Sequence, residues 1–73
     1  MKVNVQTYSG YTADERPVRF QLGSHEYLVV EVMDQWYGPD DDFFKVRADD
    51  GNLYILRHPR PRGEWTLESF RQP

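Results

Sequence analysis

The chain has 73 residues, 15% of them aromatic, a formal charge of −3 and no cysteine. This length supports one small domain that buries only roughly 60% of its unfolded surface, so aromatics that each bury roughly 150–250 Å² must carry much of the core. The missing cysteines exclude a disulfide scaffold and a thiolate zinc site, and the mild acidity lacks the overall basic footprint of a dedicated nucleic-acid binder. MKVNVQTYSG at the start has no apolar core of a signal peptide, and Leu28 to Val30, with Val32–Met33, are runs too short to span a bilayer. A cytoplasmic domain without membrane contact is expected.

Val3, Val5 and Thr7 alternate with Lys2, Asn4 and Gln6, the period of a first strand with one face buried, expected at an edge. Thr12 and Glu15 then stand at capping-box spacing and predict at most one helical turn, which Pro17 stops. Val18, Phe20 and Leu22 form a second strand, and Gly23–Ser24 suits a type II′ hairpin turn. From Glu26 to Trp36 apolar residues fill both parities, with Leu28, Val30, Val32 and Trp36 on one and Tyr27, Val29 and Met33 on the other. A third strand apolar on both faces is expected at the centre of the fold, with Val30 in the core.

Tyr37 to Asp42 combines Gly38–Pro39 with three carboxylates, an exposed loop. A fourth strand covers Phe43 to Ala48, Asp49–Asp50–Gly51–Asn52 supplies the Asp–Gly signal of a hairpin, and a fifth covers Leu53 to His58. Ile55 is expected in the core. Pro59 and Pro61 argue against a ladder through 59–61, and Gly63 permits a reversal before a sixth strand from Trp65 to Phe70. The expected fold is all-β: a single small domain at 1–73 in which an antiparallel meander of five to six strands forms a strongly bent sheet or a partly open SH3-like or OB-like barrel. Charge is uneven along it, Asp40 to Asp42, Asp49 and Asp50 making an acidic middle before a basic end with Arg57, Arg60, Arg62 and Arg71.

The order ERPVRFQL, EYLVVEVMDQW, FFKVRADDGNLYIL and EWTL, spread over residues 15 to 70, resembles a family of small, functionally uncharacterised bacterial cytoplasmic domains. Leu22 and Ser24 depart from it, where Trp and Gly are usual, so the resemblance leaves the turn between the second and third strands open. Domains of that family are sometimes associated with inactive relatives of translesion DNA polymerases. The resemblance implies a link to DNA-repair assemblies, and it transfers no catalytic residue.

The foremost candidate site is Arg57–His58–Pro59–Arg60–Pro61–Arg62–Gly63 leading into Trp65, with Arg47 nearby in the sheet pattern. Guanidinium groups beside aromatics serve phosphate contact and base stacking on single strands; the plainer reading pairs these arginines with Asp40 to Asp42. Trp36 and Tyr37 with Trp65 offer an aromatic platform of the kind found at interaction hot spots, against which stands the reading of Trp36 and Trp65 as core. The aspartates lack the alternating spacing of a calcium loop, and His25 or His58 with Asp34 and Ser9, Ser24 or Ser69 lacks a nucleophile context. The edge strands could accept a partner's strand, or Lys2, Glu68 and Arg71 deter one. The sequence thus points to a non-enzymatic protein-interaction module with an unknown protein partner and no cofactor or metal, docking through the Arg-rich loop, nearby aromatics or an open edge. Weak single-stranded nucleic-acid binding is the alternative.

Overall fold

The computed structural model describes residues 2–8, 16–60 and 64–72, which leaves the expected Thr12–Glu15 turn, Pro61, Arg62 and Gly63 outside the described residues. Six strands follow one another: β1 (Asn4–Tyr8), β2 (Arg16–Leu22), β3 (His25–Tyr37), β4 (Asp41–Ala48), β5 (Leu53–Pro59) and β6 (Thr66–Arg71). They pair antiparallel in the order β1-β2-β3-β4-β5-β6, a meander that curls into a half-barrel. The described residues contain no helix, and hence none long and apolar enough to cross a membrane.

Turn chemistry sets the hairpins. Leu22 pairs with His25, leaving Gly23 and Ser24 as a two-residue turn in which only Gly23 has positive φ, at +60°; positive φ at the first central residue alone is the type II′ pattern that Gly–X favours. Between β4 and β5, the Gly51 N–H donates to Ala48 O at 2.9 Å, and the Ala48 N–H donates to Asn52 O at 3.1 Å. Gly51, at φ +85°, closes this three-residue loop in the left-handed region. Asp50 ties the loop down by accepting from the Asn52 N–H at 2.9 Å and from the Tyr54 hydroxyl at 2.5 Å. Pro59 differs from expectation: it ends β5 paired with Asp41, and the Arg60 N–H donates to Asp40 O at 2.7 Å. A strand terminus is where a residue without an N–H costs the ladder least.

The curl comes from β3. Its residues up to Leu28 pair with β2, while those from Val29 onward pair with β4, and register shifts fall between Val29 and Glu31 and between Val32 and Asp34. Each such bulge inserts a residue, bends the strand and increases its twist. The side chains turned toward the interior are therefore Tyr27, Val29, Val32 and Gln35, with steps of two, three and three, while Leu28, Val30, Met33 and Trp36 are exposed. This corrects the expectation of a third strand buried on both faces. Val30, expected in the core, is 56% exposed on the outer face.

The concave side holds Val3, Phe20, Phe44, Val46, Ala48, Tyr54, Leu56 and Trp65. Two aromatic clusters organise it. Tyr54 meets Phe20 at 4.9 Å, Tyr27 at 5.4 Å and Phe70 at 5.1 Å between ring centroids, within the range where offset and edge contacts are favourable. Trp65 lies 5.6 Å from Phe44 and stacks on His58 at 4.4 Å. Ile55, half-buried, points away from this core on the alternate parity of β5, a second correction to the expected face.

The half-barrel closes at one corner. The Val3 N–H donates to Trp65 O at 3.0 Å, Lys2 bridges Thr66, and the Lys2 ammonium lies 3.0 Å from Glu64. Beyond Thr66 the outer edge of β6 has no ladder partner among the described residues. That edge carries a register shift between Ile55 and Leu56 where β6 meets β5, and bulges are one device that makes an edge a poor template for another strand.

Candidate docking surface

The acidic loop and the start of the Arg-rich segment sit side by side because Asp41 and Asp42 pair with Pro59 and His58 across β4 and β5. The Arg57 Nε lies 3.2 Å from Asp41, and its Nη1 donates to Glu68 at 3.3 Å. Arg60 reaches Asp42 at 3.4 Å and donates to Gly38 O at 2.7 Å, with its guanidinium 6.0 Å from the Tyr37 ring centroid. Hydrogen bonds to Asp41 and Glu68 push the Arg57 guanidinium above its usual pKa, reinforcing its charged state. The acidic loop thus neutralises both described arginines of the segment. A phosphate approaching them also meets Asp40, Asp41 and Asp42.

The expected aromatic platform divides. Trp65 is 9% exposed and belongs to the core. Trp36 is 37% exposed and Tyr37 63%, so these two do reach the surface. Trp36 is held by a parallel stack on Phe43, its register partner, at 5.5 Å and 4°. The Tyr37 hydroxyl accepts a hydrogen bond from the Gln35 side-chain amide at 3.0 Å. Arg47 stands on β4 opposite Glu31 and pairs with it at 3.6 Å, and Arg62 lies outside the described residues.

No family model, curated protein or solved structure matches the chain. The site must therefore be read from its own chemistry.

On the convex face the sheet register assembles a groove that the sequence reading missed. Asp34 pairs with Lys45, Lys45 with Ile55, and Ile55 with Ser69; one row along, Leu53 pairs with Arg71. Together with Trp36 these side chains line an open cleft of about 280 Å³. Trp36, Leu53 and Ile55 supply its apolar surface. Lys45 and Arg71 make no ion pair among the described residues, in contrast to Lys2, Arg19, Arg47, Arg57 and Arg60. Asp34 faces Lys45 in register, while its Oδ1 accepts the Gln35 N–H at 2.8 Å.

Leu28, Val30 and Met33 extend the exposed apolar row of β3 from Trp36 toward β2. A row of large apolar residues along one strand is more than the isolated surface hydrophobe every protein carries. The signal for it was present in the sequence as the two-faced apolarity of the third strand. Its neighbour carries Lys45 and Arg47 at alternate positions, which marks the outward side of the fourth strand as solvent-facing. No group of three or more metal-ligating side chains occurs among the described residues.

Proposed function

We propose that this is a non-catalytic, cytoplasmic protein-interaction module that docks through the convex face of its sheet, centred on Trp36. The observation that carries this reading is the exposed row Leu28, Val30, Met33 and Trp36, which runs into the groove containing Leu53 and Ile55. Burying such side chains at an interface gains roughly 25 cal/mol per Å² of apolar area before the costs of association, and tryptophan is the residue most enriched among interface hot spots. The Arg-rich segment is the weaker part of the surface, because Arg57 and Arg60 already have carboxylate partners. That pairing also weighs against single-stranded nucleic acid as the principal ligand.

A photo-crosslinking amino acid placed at position 36, with control positions 16 and 60, tests this in cells that express the protein. A discrete adduct from position 36 that is absent from the controls supports the reading. Adducts from position 60 alone, or from none of the three, refute it.

A further inference from the structure

We infer that the convex groove recognises an extended peptide segment of another protein in which an apolar side chain is flanked by carboxylates. This deepens the preceding proposal and rests on it. The groove offers two kinds of chemistry side by side. Leu53 and Ile55 lie at alternate positions of β5, with Trp36 alongside them, giving an apolar seat of side-chain size. Lys45 and Arg71 flank that seat, because β4 places Lys45 opposite Ile55 and β6 places Arg71 opposite Leu53.

Charge complementarity selects the ligand. In a chain of net charge −3 five of the eight described cations lie within ion-pair distance of a carboxylate, whereas the two on the groove do not, Lys45 facing Asp34 in register without an ion pair to it. An acidic residue on each side of a docked leucine or aromatic anchor would complete both. Opposite potentials across an interface raise the on-rate and fix register more than they raise affinity, so the apolar anchor supplies binding and the flanking charges supply selection. The aliphatic seat argues against a nucleic-acid base, which needs a free aromatic face. Trp36 already stacks on Phe43.

The test is selection of a phage-displayed library of random dodecapeptides on the folded domain, followed by affinity measurement with the enriched peptides as synthetic probes. The expected enrichment is an apolar residue between aspartates or glutamates. Lys45→Glu combined with Arg71→Glu should weaken these peptides about tenfold, from two lost rim pairs and their replacement by repulsion, and should gain binding to lysine-flanked versions. Lys45→Gln with Arg71→Gln gives a smaller loss and serves if the double glutamate variant fails to fold, as judged by its thermal melt. Enrichment without an acidic bias, no enrichment, or equal binding to the variants overturns the inference, as does competition by an oligonucleotide or dimerisation that occludes the groove. If any of these occurs while position 36 still crosslinks a partner, the docking surface stands and only its acidic specificity falls. If crosslinking fails as well, both fall.

Discussion

Valine to alanine at two positions distinguishes a β3 buried on one face from one buried on both. Val46 is 0% exposed on β4, and Val30 is 56% exposed on β3, so the same chemical deletion is made once inside the core and once outside it. At Val46 the lost transfer energy is about 1.6 kcal/mol at about 0.8 kcal/mol per methylene equivalent, and the incompletely collapsed cavity raises it to about 2–3 kcal/mol. Val30→Ala should stay within about 0.5 kcal/mol, the range of surface substitutions, most of it lost strand propensity. A domain of 73 residues has a total stability of about 4–11 kcal/mol, so the first variant removes a large part of it. At about 4–8 °C per kcal/mol for this size, Val46→Ala should melt about 10–20 °C lower. Urea unfolding followed by the fluorescence of buried Trp65 measures both, with a constant slope confirming that the midpoint shift is a stability change. Equal losses in the two variants, or a larger loss for Val30→Ala, would refute the outward placement of Val30 and with it the exposed apolar row.

Four further outcomes are expected. Gly51→Ala should lower stability by about 1–2 kcal/mol, because its φ of +85° is strained for any side chain although the new methyl meets nothing within 4 Å; a neutral urea midpoint would contradict the left-handed turn. Tyr54→Phe should cost about 1 kcal/mol by removing the hydroxyl donor to Asp50, read in the same assay. Desolvation pushes the Asp50 carboxyl up, but hydrogen bonds from the Tyr54 hydroxyl and from Asn52 outweigh it and hold its pKa below the ordinary value. The folded form therefore favours ionised Asp50, a contribution present above the unfolded pKa and lost as pH falls through the folded one; Asp50→Asn should flatten that acid-side part of the midpoint profile, and an unchanged profile would remove Asp50 from the account. Trp65→Ala should cost about 3–5 kcal/mol, enough to unfold much of the population, since Trp65 packs on Phe44 and His58 and its carbonyl receives the closing bond from Val3; a native-like amide spectrum for this variant would contradict the corner closure.

Six strands in order and the two glycine turns were legible in the sequence because each rests on local chemistry, whereas Asp41 and Asp42, expected in an exposed loop, begin β4 and are half-buried. Gly23 and Gly51 take the positive φ that their flanking residues call for. Face assignment along β3 was not legible, since two bulges change the step between interior residues from two to three, and bulges carry no signature in a run such as LVVEVM. Val32 and Met33 consequently sit on the sides opposite to those that parity assigns. Ile55 emerged as a groove residue instead of core because both parities of β5 are apolar, Leu53 and Ile55 against Tyr54 and Leu56. The pairing of Arg57 and Arg60 with Asp41 and Asp42 was foreseeable from the charge pattern, whereas the freedom of Lys45 and Arg71 depends on which rows the β4, β5 and β6 register brings together.

The most direct measurement is a backbone amide NMR titration of the domain, run in parallel with the best acidic peptide from the library and with a mixed single-stranded oligodeoxynucleotide, at low and physiological salt. The account predicts saturable shifts with the peptide at Trp36, Lys45, Leu53, Ile55 and Arg71, and little response to the oligonucleotide once salt screens the exposed charges. Salt-sensitive oligonucleotide shifts gathered at Arg47, Arg57 and Arg60, with the convex groove silent in both titrations, would contradict it.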